Sequence, residues 1–536
     1  MDSVDFSRLA PAFMHGCALL YKHVFEHYQN RSLNQIPELM LKIHYLCGFF
    51  NDTKIMAPLI PVSNHKKTKI IATVGPASSS QENLLDLVKA GVNVFRLNFS
   101  HSTHDVHQAV IDNILEINKK YNVHLGILAD LQGPKLRIGK IENNELLIAP
   151  GDILTFTNTE CIGTKDQIYM SYELFAKDVK VGERVLVDDG KIVLEVTETN
   201  EKDIVKLKVI HGEVLSSNKG VNLPDTHVSQ PSLTEKDLED LDYILTQPVN
   251  WIALSFVRTA KDITDLQKRI KAKEHIAKVI AKIEKPEAIK NLKAIVKASD
   301  AVMIARGDLA VELPMQQLPG LQKTIISKCI EKSKPVIVAT QMMESMISNP
   351  SPTRAEITDV ANAVLDGADA VMLSAETSVG KHPSLVVEAM NKIISHAETQ
   401  YEMHGKRSKP NPDSDTFLSD ILCLNAPKIA EEINAKAILG LTVNGYTAFK
   451  MSSYRPKCNI YIFSDRPYML NTLSLVWGVT PYLYTKFTTT DETIEDLNNI
   501  LKDEGEISTG DIVVNTGSMP LHKRFRTNML KITVVE

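Results

Sequence analysis

Cysteine is scarce in this chain, and its copies never form a closely spaced pair. Six cysteines are spread over 536 residues, with no CxxC motif among them. Neither a disulfide framework nor a zinc site is therefore expected, and a reducing compartment, the cytoplasm, fits this usage best. A basic excess is also missing, because 60 Lys and Arg face 65 Asp and Glu, for a net charge of −5. Nucleic acid is therefore not an expected partner.

Long apolar runs are missing too. Residues 1–66 contain only a short apolar run, at 17–21, which is too weak for a signal peptide or a transmembrane span. We therefore expect no membrane contact, and we interpret residues 1–66 as an appendage, with Met56 left open as an alternative start. At roughly 150 residues per domain, the whole chain is long enough for three or four domains.

What the chain does contain is a regular alternation of short runs rich in Val and Ile with helical patterns. Such alternation is typical of parallel strands covered by helices. The eight runs are TKIIATVG (68–75), VNVFRLNFS (92–100), HLGILADL (124–131), VNWIALSFV (249–257), KVIAKIE (278–284), AVMIARGDL (301–309), KPVIVAT (334–340) and ADAVMLSAE (368–376). Because a TIM barrel needs eight βα units, we predict an α/β fold with a (β/α)8 TIM barrel at residues 67–133 and 221–396.

Two further domains are predicted beside this barrel. Residues 134–220 are β-rich with Gly and Asp turns, which indicates a small inserted β-barrel domain. Because this domain follows the end of a barrel strand, at the catalytic face, it is placed to act as a lid that excludes water. A polar segment at 406–415 is typical of a linker. Residues 411–536 then predict a doubly wound C-terminal α/β domain, with strands within 438–445, 459–465, 511–517 and 529–535.

Polar residues stand at the ends of the predicted barrel strands, where side chains of a TIM barrel face the active site. We therefore expect these side chains to converge. Along the chain they are Arg96, Asn98, Ser100, Asp130, Ser255, Lys282, Glu284, Arg306, Asp308, Thr340, Ser374 and Glu376.

Two of these residues, Glu284 and Asp308, offer hard oxygen ligands from neighbouring strands. A carboxylate pair completed by substrate oxygens and water is how Mg²⁺ is usually held, although a buried ion pair with Lys282 or Arg306 is an equally open interpretation. Lys282 shares a strand face with Glu284, and a cation beside a metal suits a phosphate or a developing enolate. The backbone N–H groups of Gly307 and Asp308 are placed to present the amino end of a helix to an anion.

Nine motifs then identify a family that this chain resembles. In order over residues 67–536 they are TKIIATVGPAS, VFRLNFSH, DLQGPK, KGVNLP, KIEKPEA, ARGDLAVELP, ATQMMESM, PTRAEITDVANAVLDGADAVMLSAET and SYRP. Together they resemble the motifs of pyruvate kinases, and only the appendage lacks a counterpart. The resemblance implies the glycolytic transfer of a phosphoryl group from phosphoenolpyruvate to ADP, which gives pyruvate and ATP.

The resemblance also implies how the barrel binds phosphoenolpyruvate. Arg96 and Lys282 would bind its phosphoryl group, and Lys282 would stabilise the enolate that forms when this group leaves. Glu284 and Asp308 would bind the essential divalent metal, Mg²⁺ or Mn²⁺. Positioning and charge neutralisation of this kind suit the loose transition state of phosphoryl transfer.

Further roles follow from the same resemblance. The amides of Gly307 and Asp308, with the Thr340 hydroxyl, would hold the substrate carboxylate. Thr340, Ser374 and Glu376 would form the proton relay to the enolate. The residues facing the nucleotide would be Asn98, His101, Arg137 and Lys219. For His101 a helix cap, and for Lys219 a solvated loop position, remain alternatives.

At the position of the family's potassium site, the sequence differs from that of many family members. The matching residues would be Asn98, Ser100, Asp130 and Leu131. The stretch from Asp130 to Lys135 reads DLQGPK, which resembles the potassium-independent version of the family. An ammonium on a flexible stem can place a positive charge where the ion would act, so we expect Lys135 to replace potassium. An exposed lid position is the alternative for this lysine.

The C-terminal loop TVNGYTAF (442–449) also differs from the usual family sequence. It matches the loop that binds a sugar-phosphate effector in the family, but Asn444 and Tyr446 replace small hydroxyl residues. A phosphate there would meet Thr442, Thr447, Lys523, Arg524 and Arg526. The alternative is a domain that only supports oligomerisation, for which the resemblance implies a homotetramer.

Two other functions stay open on the sequence. A catalytically silent scaffold would be favoured if a metal carboxylate, Lys282 or Arg96 were missing, but all are present. A barrel lyase or aldolase that acts on pyruvate enolate with Mg²⁺ is the other alternative, because fold alone does not fix a reaction. The inserted domain, with Arg137 and Lys219, favours a nucleotide substrate.

Overall fold

The computed structural model describes residues 66–400, 409–486, 488–520 and 526–536. The predicted appendage lies outside the described residues except for Lys66, and the alternative start at Met56 lies outside them entirely.

The strands are described in chain order. The first three are β1 (Lys69–Thr73), β2 (Val94–Asn98) and β3 (Gly126–Asp130). Eight follow: β4 (Leu146–Leu147), β5 (Ile153–Thr157), β6 (Ile168–Tyr169), β7 (Arg184–Val187), β8 (Ile192–Thr199), β9 (Ile204–His211), β10 (Val214–Leu215) and β11 (Val221–Asn222). Then come β12 (Trp251–Leu254), β13 (Lys278–Ile283), β14 (Ala301–Ala305), β15 (Val336–Ala339) and β16 (Ala370–Leu373). The last are β17 (Ala437–Leu441), β18 (Asn459–Ser464), β19 (Val479–Leu483), β20 (Ile512–Gly517) and β21 (Met529–Val534).

The α-helices are numbered in the same way. Those up to the end of the barrel are α1 (Gln81–Ala90), α2 (His104–Tyr121), α3 (Phe175–Asp178), α4 (Glu235–Ile244), α5 (Ala260–Ala272), α6 (Pro286–Lys290), α7 (Leu292–Ala298), α8 (Arg306–Glu312), α9 (Leu318–Glu331), α10 (Arg354–Leu365), α11 (Ala375–Ser378) and α12 (Pro383–Gln400). The C-terminal helices are α13 (Phe417–Glu432), α14 (Tyr446–Ser453), α15 (Pro467–Leu473) and α16 (Thr490–Asp503). Short 3₁₀ turns lie at Glu142–Asn144, Met315–Gln317 and Glu344–Ile347.

Eight parallel strands close into the predicted barrel, in the order β1-β16-β15-β14-β13-β12-β3-β2. Each of the eight predicted runs contains one of these strands, so the TIM barrel is confirmed. Strands β1, β3 and β14 are buried at every position, as parallel strands covered by helices must be. Because side chains alternate along a strand, Ile71 and Leu128 pack inside the barrel while Ile70 and Ile127 pack under the helices.

The inserted segment forms a small rolled sheet with its own buried core. Its six strands run in the order β11-β7-β8-β9-β5-β6, and β4 pairs separately with β10. Strand β11 pairs with β7, so the inserted sheet extends two residues past the predicted boundary at 220 and includes Asn222. The chain around Arg137 joins the two ends of the six-stranded sheet: Arg137 bridges to Gly220 beside β11, and Ile138 bridges to Met170 beside β6. These single bridges make the insertion the small β-barrel that the sequence predicts.

The C-terminal domain is a five-stranded sheet in the order β19-β18-β17-β20-β21, parallel except for β21. Helices α13, α14 and α15 pack on one face and α16 on the other, which agrees with a doubly wound fold. Strand β19 is missing from the sequence prediction. It carries Pro481 at the edge of the sheet, and prolines are tolerated in strands mainly at edges.

The C-terminal domain packs against the amino end of the barrel. Trp251 at the start of β12 donates from its indole nitrogen to the Thr472 carbonyl at 3.2 Å. Arg455 and Asp369, just before β16, form a buried ion pair at 3.0 Å. Lys69 donates to the Val479 carbonyl at 2.8 Å. None of the helices in the described parts of the chain is long and apolar enough to cross a membrane.

Candidate active site

The polar site lies one layer above the apolar interior of the barrel, at the carboxyl ends of the strands. Val94, Leu128 and Ile280 fill the interior, and the residues two positions later on the same strands are Arg96, Asp130 and Lys282. Because strand side chains repeat with a period of two, the pattern that builds the core also aims these three polar groups into the barrel mouth.

Asp130 holds two cations in place. The Arg96 guanidinium donates to its Oδ2 at 2.7 Å, and the Lys282 ammonium lies 3.4 Å from its Oδ1. Lys282 also contacts Glu284 Oε1 at 3.0 Å and donates to Ser255 Oγ at 2.7 Å. Both cations keep 12% of their side-chain surface exposed, while the two carboxylates keep 1%. The cations are therefore the groups that an entering anion meets.

The charges in this cluster shift one another's pKa values. Burial alone would lower the pKa of Lys282, but Asp130 and Glu284 raise it above its ordinary value. Burial alone would raise the pKa of Asp130, but Lys282 and Arg96 lower it below its ordinary value. Lys282 and Asp130 are therefore an ion pair at neutral pH.

Glu284 and Asp308 are the two carboxylates predicted to hold a metal. Burial raises the pKa of Glu284; Lys282 opposes this rise, and the nearby charge of Asp308 adds to it. Glu284 is buried and Asp308 is partly exposed. Two neighbouring carboxylates that repel each other form a hard oxygen donor set for Mg²⁺, which commonly takes one or two carboxylates plus substrate phosphates. The residues present therefore fit a divalent cation. No group of three or more His, Cys, Asp or Glu suited to a metal is found among the described residues, so a metal at the predicted pair would need further ligands from substrate or water.

The segment after β15 adopts a strained backbone beside the start of α8. Thr340 and Gln341 have positive φ values of 69° and 53°, which are rare for a β-branched residue such as threonine. The Thr340 hydroxyl accepts from the Gly307 N–H at 2.8 Å, and Arg306 donates to the Thr340 carbonyl at 2.8 Å. Arg306 also pairs with Asp359 at 2.7 Å, so it holds this loop in place.

Ser374 and Glu376 follow the last barrel strand. Glu376 is fully buried, and its carboxylate accepts from the backbone amides of Met343 at 3.2 Å and Ser374 at 2.6 Å. Burial raises its pKa, and these amides oppose the rise. The carboxylate thus ties the loop after β15 to the end of β16, and the predicted relay through Thr340, Ser374 and Glu376 stays a prediction.

The residues predicted to face a nucleotide are spread over the barrel mouth and the inserted domain. Asn98 accepts from the Ser100 N–H at 3.2 Å, and His101 is exposed. Arg137 donates to the Asn218 carbonyl at 2.9 Å, and Lys219 pairs with Asp188 at 3.0 Å. Both of these cations are partly exposed where the inserted domain joins the barrel. The geometry leaves their role in nucleotide binding a prediction.

A cleft between the barrel and the inserted domain receives Lys135. This exposed lysine lines the cleft together with Phe256, Arg258, Lys285 and Asp308. Within the described residues, no hydrogen bond or ion pair joins Lys135 to the potassium-type residues Asn98, Ser100, Asp130 and Leu131. Its proposed replacement of potassium therefore stays a prediction.

The predicted effector loop is internally bonded. Thr442 accepts from the Gly445 N–H at 3.0 Å, and the Thr447 hydroxyl pairs with that of Thr527 at 2.7 Å. Tyr446 donates to Asp420, and Arg526 donates to the Asp415 carbonyl. Lys523 and Arg524 lie outside the described residues, so the effector site stays a prediction.

Sequence reasoning missed three residues that the fold brings to the site. Thr73, two positions after Ile71, accepts from Arg96 at 3.0 Å, and the same alternation would have found it. Asn222 of the inserted domain and Glu312 of α8 meet at 2.8 Å inside the protein. No sequence signal joins these two, because 90 residues separate them.

The chain is similar to known proteins over most of its length. The family model described as "Pyruvate kinase, barrel domain" matches residues 65–387, and "Pyruvate kinase, alpha/beta domain" matches residues 420–533. Pyruvate kinase 2 of Synechocystis is 43% identical over 477 residues, which cover 88% of this chain and 80% of that protein. Pyruvate kinase of Corynebacterium glutamicum is 41% identical over 471 residues, 87% of this chain and 97% of that protein.

A solved structure agrees with these sequence matches. The crystal structure of a pyruvate kinase from Cryptosporidium parvum has a TM-score of 0.83 and 34% identity, and the match covers 90% of this chain and 99% of that one. Fold, domain order and sequence thus coincide over most of the chain, which therefore belongs to the pyruvate kinase family of phosphotransferases.

Proposed function

We propose that the barrel, residues 67–133 and 221–396, binds phosphoenolpyruvate at its carboxyl end while the inserted domain, residues 134–220, covers ADP. The observation that carries this proposal is the pair of partly exposed cations, Arg96 and Lys282, fixed on the buried carboxylate Asp130. A phosphoryl group bound between them gives both cations a second anionic partner beside Asp130. C-terminal residues 411–536 form the third functional unit.

The reaction is a balanced exchange of bonds at phosphorus. A terminal phosphate oxygen of ADP forms a bond to the phosphorus of phosphoenolpyruvate, and the bond from phosphorus to the enol oxygen breaks. The enol oxygen keeps the electron pair, and a proton added to the methylene carbon gives pyruvate. Lys282 stabilises both the phosphoryl oxygens and the enolate, because its pKa is raised and it stays charged at neutral pH.

The remaining barrel residues orient the substrate. Glu284 and Asp308 hold the divalent metal that this family uses, which we propose to be Mg²⁺ or Mn²⁺; when bound, it neutralises charge on the phosphoryl oxygens. The amides of Gly307 and Asp308, with the Thr340 hydroxyl, hold the substrate carboxylate. In this proposal Thr340, Ser374 and Glu376 form the proton relay to the enolate.

The inserted domain and its hinge bind the nucleotide. Asn98, His101, Arg137 and Lys219 face ADP in this proposal, and closure of the insertion excludes water from the transferred group. Lys135 supplies the positive charge that potassium supplies at Asn98, Ser100, Asp130 and Leu131 in potassium-dependent relatives, so the enzyme needs no potassium.

The proposal extends to assembly and control. The enzyme acts as a homotetramer in the cytoplasm, and a sugar phosphate binds the C-terminal domain at Thr442, Thr447, Lys523, Arg524 and Arg526. Binding of a sugar phosphate there opens the internal hydrogen bonds of Thr442 and Thr447.

One assay tests the function and separates it from its alternatives. Pyruvate release from phosphoenolpyruvate is measured with and without ADP, with and without Mg²⁺, and in potassium or tetramethylammonium buffer. We expect release only with both ADP and Mg²⁺, and equal amounts of ATP. A silent scaffold gives no pyruvate, and a lyase gives product without ADP.

A further inference from the structure

One buried carboxylate, Glu312, touches both the inserted domain and the barrel. It is the last residue of α8 and is 3% exposed. Its Oε1 atom accepts from Asn222 Nδ2 at 2.8 Å and from Lys285 Nζ at 2.5 Å. Its Oε2 atom is buried without a hydrogen-bond partner.

The contact with Asn222 connects Glu312 to the inserted domain. Asn222 belongs to β11, which pairs with β7 through Asn222 and Leu186. Its side-chain amide leaves that sheet and reaches α8 of the barrel. A movement of the inserted sheet therefore pulls directly on the Glu312 carboxylate.

The contacts on the barrel side connect Glu312 to both predicted metal ligands. Asp308 lies four positions earlier on α8, one helical turn away. Lys285 directly follows Glu284, and its ammonium lies 5.8 Å from the ring centre of Phe256. The Phe256 N–H in turn donates to Glu284 Oε2 at 2.7 Å.

Stability does not explain why a charged pair stands here. Burying a carboxylate with an unpartnered oxygen is costly, and well-packed apolar residues commonly replace buried ion pairs with no loss. Fixing one arrangement of the parts that meet at the pair is the role for which such pairs are best attested.

We propose that Glu312 is a positioning residue that couples closure of the inserted domain over ADP to the placement of Glu284 and Asp308 around phosphoenolpyruvate. This inference rests on the proposed function. ADP binding moves β11, and Asn222, Glu312 and Lys285 transmit that movement to the two carboxylates. Because coupling is reciprocal, phosphoenolpyruvate favours the closed position of the insertion to the same extent.

The test measures coupling between the substrates. Initial rates over a grid of ADP and phosphoenolpyruvate concentrations are compared for wild type, Glu312→Gln, Asn222→Ala and the double variant. The control is Glu331→Gln on α9, which breaks exposed pairs with Lys328 at 3.1 Å and Lys332 at 3.2 Å. Hydrogen exchange of α8, measured with and without ADP, gives a readout that does not depend on turnover.

We expect the wild-type KM for ADP to fall as phosphoenolpyruvate rises, by about fivefold or more, as for a typical coupling. Glu312→Gln and Asn222→Ala lose this dependence, and the double variant is no worse than Glu312→Gln because both act on one contact. ADP protects α8 from exchange in wild type and in Glu331→Gln only.

Three other results would contradict either this inference or the proposed function. If Asn222→Ala keeps the coupling and the ADP-dependent protection that wild type shows, the proposal is overturned, even if Glu312→Gln fails to fold. Absence of coupling in wild type overturns it as well. Wild type without ADP-dependent pyruvate release contradicts the proposed function instead, and is recognised in the same assay.

Discussion

Two lysines stand at opposite ends of the barrel, and their surroundings shift their pKa values in opposite directions. Lys282 at the carboxyl end lies among carboxylates, which raise its pKa. Lys66, just before β1 at the amino end, donates to the Gly91 carbonyl at 2.8 Å and to Asn93 Oδ1 at 2.9 Å. Burial lowers its pKa from 10.5 to about 7, and the positive charge of Lys69 adds to this shift.

The difference separates a functional charge from a structural one. The two hydrogen-bond acceptors of Lys66 are neutral oxygens. The C-terminal domain covers the neighbouring Lys69. Carboxylates keep Lys282 charged while part of it faces the barrel mouth. In TIM barrels the carboxyl ends of the strands carry chemistry and the amino ends carry stability, and these two lysines follow that division.

The largest effect is expected at the carboxyl end of β13. Lys282→Met replaces the charge with an apolar chain of similar length, and kcat should fall by about 10²–10³-fold, as for loss of a charge-stabilising group. Lys278→Met, at the amino end of the same strand, removes an ion pair with Asp300 at 3.8 Å and should keep wild-type turnover. Circular dichroism checks that both variants fold. Equal losses of kcat in the two variants would contradict the division of roles between the two ends of the barrel.

Metal activation should show the next effect. Asp308→Asn makes one of the two proposed anionic ligands neutral, so the Mg²⁺ concentration for half-maximal activity should rise by about tenfold or more. Asp300→Asn, before the amino end of β14, is the matched control and should titrate like wild type. A metal titration unchanged by Asp308→Asn would remove this residue from the proposed ligand set.

At Lys135, where the inserted domain joins the barrel, the expected effect on activity depends on the cation in the buffer. Wild type should be active in tetramethylammonium buffer, and Lys135→Glu should lower this activity and create a requirement for potassium, because it removes the ammonium charge. Lys140→Glu, an exposed change in the same segment, controls for charge reversal alone. The hypothesis is falsified if wild type is nearly inactive until potassium is added.

The smallest effect concerns stability alone, at Lys66. Between pH 7 and 10.5 the unfolded chain binds a proton at this lysine that the folded chain does not, so folded stability rises with pH over this window. From pH 7 to 9 the wild-type free energy of unfolding should rise relative to that of Lys66→Met by about 2 kcal/mol, while kcat is equal in both. Thermal unfolding at both pH values measures this; parallel pH dependence would contradict the lowered pKa.

The barrel could be predicted from sequence because its signals are local. A strand buried on both faces reads as a run of Val and Ile, and the period of two places Arg96, Asp130 and Lys282 on the inner face. Local signals also mislead. The apolar residues Ile289, Leu292, Ile295 and Val296 have the spacing of one helical face and on their own indicate a single helix. In the structure α6 and α7 meet at Asn291, whose side chain donates to the Arg258 carbonyl at 2.9 Å.

Other parts of the site arise only from contacts distant in the chain. The left-handed backbone of Thr340 depends on Arg306 and Gly307, which reach it from the preceding βα unit. Arg306 stands at a strand end like Lys282, yet its guanidinium turns to Asp359 instead of the barrel mouth. Asn222 and Glu312 meet across the boundary of the inserted domain. Periodicity indicates which residues point inward but cannot supply their partners.

The seam between β1 and β16 sets an order of assembly. It pairs Lys69–Ala72 with Ala370–Leu373, and the hydrogen bond from Thr73 to the Leu373 carbonyl spans 300 residues. β1 pairs with β2 on its other side, so during synthesis one edge of β1 stays unpaired until the ribosome has released β16, and that edge is exposed to wrong partners. The inserted domain is one continuous segment, with its hairpin of β8 and β9 paired locally, so it can fold while the barrel is still open. A nascent chain that has passed the insertion but not yet β16 can therefore hold a folded inserted domain beside an open barrel.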